Sequence, residues 1–457
     1  MTGRRRTSTR STFLPRSLRF TRSARARTLS ARVLSARALS AGALTVCASL
    51  AVACGVVPGT AEGSGNGPII VMTWAPEGTS ATNKPGMPAF ARAYARWLNA
   101  NGGLDGRDLK VLTCNDRDDT VAAAQCARRA VKEGAVAVVG SYSQHSDAFF
   151  PHLEGAGIPY IGGFGVTNAE FTSPLSYPVN GGRPSLLAGL GKELAPQCGR
   201  VSLVRPDTIA GDSLPVMLDA GLTAGGHDAS ADQPAPEDAT EYTAQAEDAL
   251  RTATRGEGRS EKGRKGRGCV VTALGDRTGT FMDSFRRSRD DYPGVRTATI
   301  LGSVDQTVIN AAGAGSGPFE GAYVTGWYPV ASDPAWAPMK KVISEQAFSD
   351  TRVDPADTGV QTTWIAYNVF RQAVQSLDGG PVTADTVRHA LDDGLQVDTG
   401  GLTPALRWRF TDRLASIGFP RLVNADVTLQ TVRKGRLVAA EQGFVDVTGT
   451  LEKADVD

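Results

Sequence analysis

The chain has 457 residues, 41% of them hydrophobic, and a formal net charge of +2. That length exceeds one ordinary core and suits two lobes plus tails. The near-neutral sum hides two opposed regions. Residues 1–53 hold eleven arginines and no acid; taking these from the 49 basic residues leaves 38 against 47 acidic ones, a net of −9 for the rest. A nucleic-acid partner is therefore not expected.

The arginine-rich start runs into Ala38–Ala53, ALSAGALTVCASLAVA, sixteen small or apolar residues without a charge. Basic region, apolar region and small residues follow in the order of a secretory signal. Sixteen residues at about 1.5 Å each fall short of a bilayer span. The run Leu50-Ala51-Val52-Ala53-Cys54 resembles a bacterial lipobox, with leucine four places before the cysteine and alanine three. Cys54 is thus the expected lipidation site, with plain secretion or an uncleaved anchor as alternatives. Residues 1–53 are read as a lipoprotein-type signal peptide and 54–67 as a flexible tether. A translation start near Val33 would leave a compact signal, and Arg4-Arg5-Arg6 hints at a twin-arginine route that lies far upstream of the apolar run.

Without Cys47 and Cys54, four cysteines remain: Cys114, Cys126, Cys198 and Cys269. An even number outside the cytoplasm suggests two disulfides, out of three possible pairings. Cys114 ends a strand and Cys126 lies on the next helix; Cys198 and Cys269 each precede an apolar strand. These positions favour 114–126 and 198–269. No C-x2-C spacing occurs and only four histidines exist, so no metal and no cofactor is expected.

In chain order, Ile69–Met72 is the first strand, followed by a loop rich in Gly, Pro, Ser and Thr. A helix from Met87 to Asn99 carries Met87, Phe90, Tyr94, Trp97 and Leu98 on one face, which reads as core. Gly102 and Gly103 stop it. Leu109–Leu112, the helix Thr120–Lys132 and the nearly all-apolar Ala135–Gly140 form a βαβ unit with a buried parallel sheet. Open α/β folds put ligands at the carboxyl ends of their strands. The loop Ser141–Ser146 stands there, so Ser141, Ser143 and Ser146 are ligand candidates. A helix Asp147–Glu154 and a strand Ile158–Ile161 lead to a second such loop, Gly162–Asn168, where glycines admit a close ligand and Thr167 or free N–H groups suit a carboxylate. A plain flexible loop is the alternative. Neither this loop nor Gly313–Gly317 fits the dinucleotide fingerprint.

From Gly181 the rhythm restarts: helix Ser185–Leu194, strand Val201–Val204, helices Ser213–Leu222 and Tyr242–Thr254, strand Cys269–Leu274, helix Thr280–Arg289 and strand Thr297–Leu301. Within it, Thr223–Glu241 is polar and Pro-containing. Arg255–Gly268, RGEGRSEKGRKGRG, has six basic and two acidic residues among five glycines. Such a composition builds no core and reads as a mobile surface insertion, open to an anionic lipid or partner. Tyr323–Trp327 is a strand, helices follow at Pro334–Ala347, Val360–Leu377 and Ala384–Asp392, and Arg407–Phe410, Val427–Val432 and Leu437–Ala440 form a short β region with a Lys434-Gly435 turn.

NANGGLDGRDLKVLTCNDRDD, the strand ending GSYSQHS, GIPYIGG, and the late TGGLTPALRWRF with VRKGRLV together resemble type I periplasmic binding proteins of the leucine-binding, branched-chain amino-acid class. The resemblance covers roughly Pro68 to Ala440. It implies an α/β fold with two Rossmann-like lobes of parallel sheet, joined by three crossovers and closing by hinge motion. Lobe 1 would span about 68–180 and 326–395, lobe 2 about 181–325 and 396–440, with 441–457 a C-terminal tail. It further implies a ligand carboxylate on a first-lobe hydroxyl, best Ser143 and then Ser141, with the loop of Phe164, Gly165 and Thr167 as the next contact. The ammonium would meet Asp305, one residue past the aligned Val304. The second-lobe aromatic contact falls near Asp276 or Arg277, and the first-lobe one near Asn83 or Lys84, so leucine-like specificity is not implied.

The expected function is an extracytoplasmic solute-binding lipoprotein, lipid-anchored at the cell membrane and monomeric. It would hand an amino acid or related amide to ABC permease and ATPase subunits. A ligand sensor of the same fold is the alternative. A serine hydrolase built on Ser143, His145 and His152 lacks the G-x-S-x-G elbow, and catalysis is not expected.

Overall fold

The structure is a computed structural model that describes residues 67–80, 82–255, 267–416 and 418–454, though not the side chains of Ile209 and Ala210. The signal-like segment, Cys54, nearly all of the tether and residues 256–266 of the basic insertion lie outside the described residues.

Five strands, β1 (Ile69–Trp74), β2 (Leu109–Cys114), β3 (Ala137–Val139), β4 (Tyr160–Ile161) and β5 (Ser176–Tyr177), form a parallel sheet in the order β2-β1-β3-β4-β5. Alternation along β1 decides its two faces. Ile69 and Val71 pack with Met87, Phe90 and Tyr94 of the helix Gly86–Ala100. Met72 and Trp74 pack instead with Ala123 and Cys126 of Thr120–Lys132 and Phe149 of Ser146–Ala156. The helix Thr358–Gln375 lies over the carboxyl ends of β3 and β4. Gly140 and Gly162, at φ +61 and +64, let it approach, because a Cβ there would meet Thr363 Cα at 2.9 Å or Ala366 Cβ at 2.4 Å.

The second sheet contains β6 (Cys198–Pro206), β7 (Ala231–Ala235), β8 (Arg267–Thr272), β9 (Arg296–Ile300), β10 (Tyr323–Gly326), β11 (Thr428–Arg433) and β12 (Arg436–Ala439), in the order β12-β11-β10-β9-β8-β6-β7. β6 to β10 are parallel, and β11 pairs antiparallel with both β10 and β12. The fold is α/β, two Rossmann-like halves, with the chain passing between them after β5, after β10 and before β11.

The three passages are tied to one another. Asn180 Nδ2 donates to the Tyr328 hydroxyl at 2.9 Å, and the Tyr328 carbonyl accepts from Thr428 Oγ1 at 2.8 Å and Gln430 Nε2 at 2.9 Å. Trp327 Nε1 donates to the Gly182 carbonyl at 2.8 Å. Burial pushes the Tyr328 phenol up to about 12, so it stays a neutral donor and acceptor.

Disulfides join Cys114 to Cys126 and Cys198 to Cys269, each with Cα atoms 5.8 Å apart. Several sequence expectations change. The polar, Pro-containing stretch 223–241, in which the sequence suggested no strand, contains β7, which holds Pro234 because it is an edge strand needing no donor on its outer side. Arg267 and Gly268 belong to β8 rather than to the insertion. Arg407–Phe410 forms no strand; only an isolated bridge links Val397 and Leu406 nearby. The expected tail folds back instead: Val445 bridges Val427, and Val447 and Leu451 are buried against the helices Gly182–Leu194 and Leu214–Ala224.

On the helix Gly182–Leu194, burial and the nearby Glu441 push the Glu193 carboxyl up to about 8. The unfolded chain releases that proton near the ordinary carboxyl value, so between about pH 5 and 8 the folded state binds more protons and stability falls as pH rises. Thermal melts should therefore show the Glu193→Gln variant gaining on the wild type as pH is raised from 5 to 8, with no further gain above that range.

Candidate functional site

Both sheets end on a shared chamber. From the first half come Thr82, Lys84, Tyr142 and Phe164; from the second, Ala273, Ile300, Leu301 and Ser303; and from the passages between them, Arg183 and Trp327. Three aromatic side chains form its floor. Tyr142 meets Phe164 edge to face, and Phe164 meets Trp327 likewise, each pair with centroids 5.2 Å apart. About 20 Å3 is open to the centre of a water-sized sphere here, room for a water molecule. A larger vestibule of about 650 Å3 shares Thr82, Arg183, Ala273 and Gly275 with the chamber and opens between the halves.

Two cations reach this space, and their surroundings differ. Lys84 is 8% exposed, its Nζ 3.5 Å from Asp357 and 5.6 Å from the Phe164 ring centroid. Burial opposes its charge, yet Asp357, Asp276 and Asp305 together outweigh that and hold the ammonium above its ordinary pKa. It is already neutralised. Arg183 donates its main-chain N–H to the Gly165 carbonyl at 3.1 Å, while its guanidinium has no hydrogen-bond or ion-pair partner among the described residues. An unpaired guanidinium beside apolar and hydroxyl groups is an anion anchor. Burial keeps the Tyr142 phenol, pushed up to about 12, protonated and able to donate.

The rims of the halves touch. Asp276 accepts from the Asn83 N–H at 3.3 Å, Arg277 donates to the Ser80 carbonyl at 3.1 Å, and Thr307 donates to Asp354 at 2.6 Å.

The residues expected from sequence divide. Phe164 lines the chamber. Asp276 lines the vestibule, held by the Asn83 N–H. Asp305 does not line the chamber; it caps the helix Gln306–Ala311 by accepting from the Val308 N–H at 2.9 Å. Ser141 is fully buried and its Oγ accepts from the Trp74 N–H at 3.1 Å, which makes it a joint between strands. Ser143, 1% exposed, accepts the main-chain N–H of His145 at 3.2 Å and helps hold the buried Asp116, whose carboxyl burial raises. Ser146 is 3% exposed at the start of its helix. The hydrolase arrangement is not assembled: the His145 ring contacts Thr120 and Asp118, and the His152 ring contacts Arg128.

The loop expected to cradle a ligand carboxylate already holds one of the protein's own. Glu170, 2% exposed, accepts the N–H groups of Gly165 at 3.0 Å, Val166 at 2.9 Å and Thr167 at 3.0 Å, and the Thr167 hydroxyl at 2.9 Å. Burial raises the Glu170 carboxyl, and these donors pull it back. Gly165 and Thr167 therefore shape the loop that carries Phe164 and are not open to a ligand anion. Arg183 went unread, although Gly181-Gly182-Arg183-Pro184 follows β5 at a carboxyl end and was a signal of the same kind.

The periplasmic binding protein family model matches residues 70–416, and the chain belongs to that family. Among solved structures, a substrate-binding periplasmic protein from Ralstonia solanacearum is 17% identical, with TM-score 0.65 over 81% of this chain and 99% of that one. A leucine binding protein from Thermotoga maritima is 14% identical, with TM-score 0.62 over 83% and 99%. An ABC-transporter solute binding protein from R. palustris, in complex with 4-hydroxybenzoate, is 11% identical, with TM-score 0.64 over 83% and 97%. At these identities the likeness is one of fold. No curated protein gives a significant match.

Glu170→Gln would replace one carboxylate oxygen by an NH2 group whose donors face one or two of the N–H groups that the carboxylate accepts. It should lower stability by about 2–4 kcal/mol, read by denaturant unfolding, and the same variant should loosen Phe164 without removing any ligand-contacting group.

Proposed function

We propose that the chain is the extracytoplasmic solute-binding component of an ABC importer and that its ligand is a small organic carboxylate. The observation that carries this reading is the unpaired Arg183 guanidinium beside an aromatic floor of Tyr142, Phe164 and Trp327, between the carboxyl ends of two sheets. The chamber as it stands has room for about one water molecule, so the ligand enters with the halves further apart; its carboxylate then meets Arg183 and the hydroxyls of Thr82, Tyr142 or Ser303, and an apolar or ring-bearing body lies against the aromatic side chains. No chemistry is required. Closure of the halves excludes water and strengthens the ion pair, and the closed form is what permease subunits would read.

Two classes of carboxylate fit. The chamber wall has cations and hydroxyls but no carboxylate, which suits a simple acid such as the hydroxybenzoates bound by the R. palustris proteins of the same fold. An amino acid would find its nearest acid at Asp276 in the vestibule. The first reading has the closer support. A thermal-shift panel of benzoates, aliphatic acids and amino acids tests it. Stabilisation by the acids is expected, and Arg183→Gln should weaken binding by ~2–3 kcal/mol, roughly 30- to 150-fold. Affinity unchanged by that substitution would remove Arg183 from the site.

The family location is extracytoplasmic, and among the described residues no helix is long and apolar enough to cross a membrane. The lipobox-like run supports anchoring through an acylated Cys54. Cys54→Ser should then move the protein from the membrane fraction to the medium or periplasm, and intact mass of the wild type should show the lipid.

A further inference from the structure

A second pocket lies at the opposite end of the larger sheet. Its volume is about 420 Å3, and its wall includes Arg267, Arg289, Arg296, Arg433 and Tyr323. Arg267 opens β8, Arg296 opens β9, Tyr323 opens β10, and Arg433 closes the antiparallel β11, so all four stand at the amino ends of the parallel strands. The five residues of β9 put roughly 17 Å between this pocket and the chamber at the carboxyl ends.

Four guanidinium groups gather here in a body whose acids outnumber its bases, and among the described residues none of the four is in an ion pair. Arg296 is held by the Tyr323 hydroxyl and lies over its ring, 5.4 Å from the centroid. Arg289 donates to the Pro318 carbonyl at 3.4 Å. The one acid in the wall, Glu320, is spent elsewhere, accepting the N–H groups of Lys434 at 2.7 Å and Gly435 at 2.9 Å in the β11–β12 turn. Arg267, Arg296 and Arg433 are exposed to solvent and Arg289 is half-buried, so the four present a positive rim that an anion carrying more than one charge would complement. The frame is stiff: Cys269 of β8 is opposite Arg296 in register and bonded to Cys198 of β6.

We propose that this pocket binds a phosphate-bearing anion with at least two negative charges, of about the size of a diphosphate. Phosphate oxygens match the planar forks of arginine, and the volume lies within the range of small-molecule sites. The site is separate from the solute chamber and works without it.

The test is calorimetric titration of the chain from Gly55 onward, which retains every described element and lacks the arginine-rich start, with sodium pyrophosphate at low ionic strength. One saturable site is expected. The double variant Arg267→Gln with Arg433→Gln, which removes no side-chain hydrogen bond among the described residues, should weaken it at least tenfold. Arg183→Gln should leave it unchanged. The paired lysine variants at 267 and 433 should restore only part of the affinity. Flotation with cardiolipin vesicles, whose headgroup carries two phosphates, names the source: association competed by pyrophosphate indicates a lipid headgroup, and none, with pyrophosphate binding intact, indicates a soluble phosphate. Absence of saturable pyrophosphate binding, or equal affinity in the folded double variant, overturns the proposal.

Discussion

The structure depends on a hydrogen-bonded knot around Tyr328. Its hydroxyl accepts from Asn180 and lies 3.0 Å from Thr362 Oγ1, and its carbonyl accepts from Thr428 and Gln430. Asn180, Tyr328 and Thr428 stand at the three stretches where the chain passes between halves, so one buried residue ties them all, through its hydroxyl and its main-chain carbonyl. Low dielectric strengthens such a network and makes any unpaired member expensive. Two α/β units of separate sheet can then move against each other while their connections remain in register.

The same region supplies the site. Arg183 follows directly on the passage after β5, and Trp327 directly on β10. The bond from Trp327 to the Gly182 carbonyl joins the aromatic floor to the segment bearing the cation. Glu170 completes the arrangement from the other side, drawing the Gly165–Thr167 N–H groups inward and so placing Phe164 between Tyr142 and Trp327. An internal carboxylate fills the loop's anion cradle, which leaves the Arg183 guanidinium as the unpaired cation of the chamber among the described residues.

Much of the fold was legible because it follows from periodicity. The apolar strands β1, β2 and β3 and the amphipathic helix Gly86–Ala100 announce themselves through burial on two faces or one, and the disulfide pairs follow from a strand end meeting its next helix and from two neighbouring strand starts. β7 did not, since Asp232, Gln233 and Pro234 carry no apolar alternation and the strand exists only because β6 offers it an edge. The site was legible as a region, the carboxyl ends of the strands, and less so as residues. Ser141, Ser143 and Asp305 have the right chemistry, but each is spent on a main-chain N–H of the protein itself. Phe164 was found and Arg183 was not, because sequence shows which polar groups stand near a cleft and leaves open which are already satisfied.

One consequence of Arg183 and Trp327 standing at the passages concerns how such a protein changes its diet. Substitutions at the outlying wall, Val166, Leu214 or Ile300, can reshape the space for a new substituent and leave the swing of the halves alone. On the proposed function, replacing the charge at position 183 or the indole at 327 would alter what is recognised and how readily the molecule shuts, in a single step. Selection for a different charge class of ligand would then retune gating at the same moment, whereas variation among ligands of one class would be open to gradual drift.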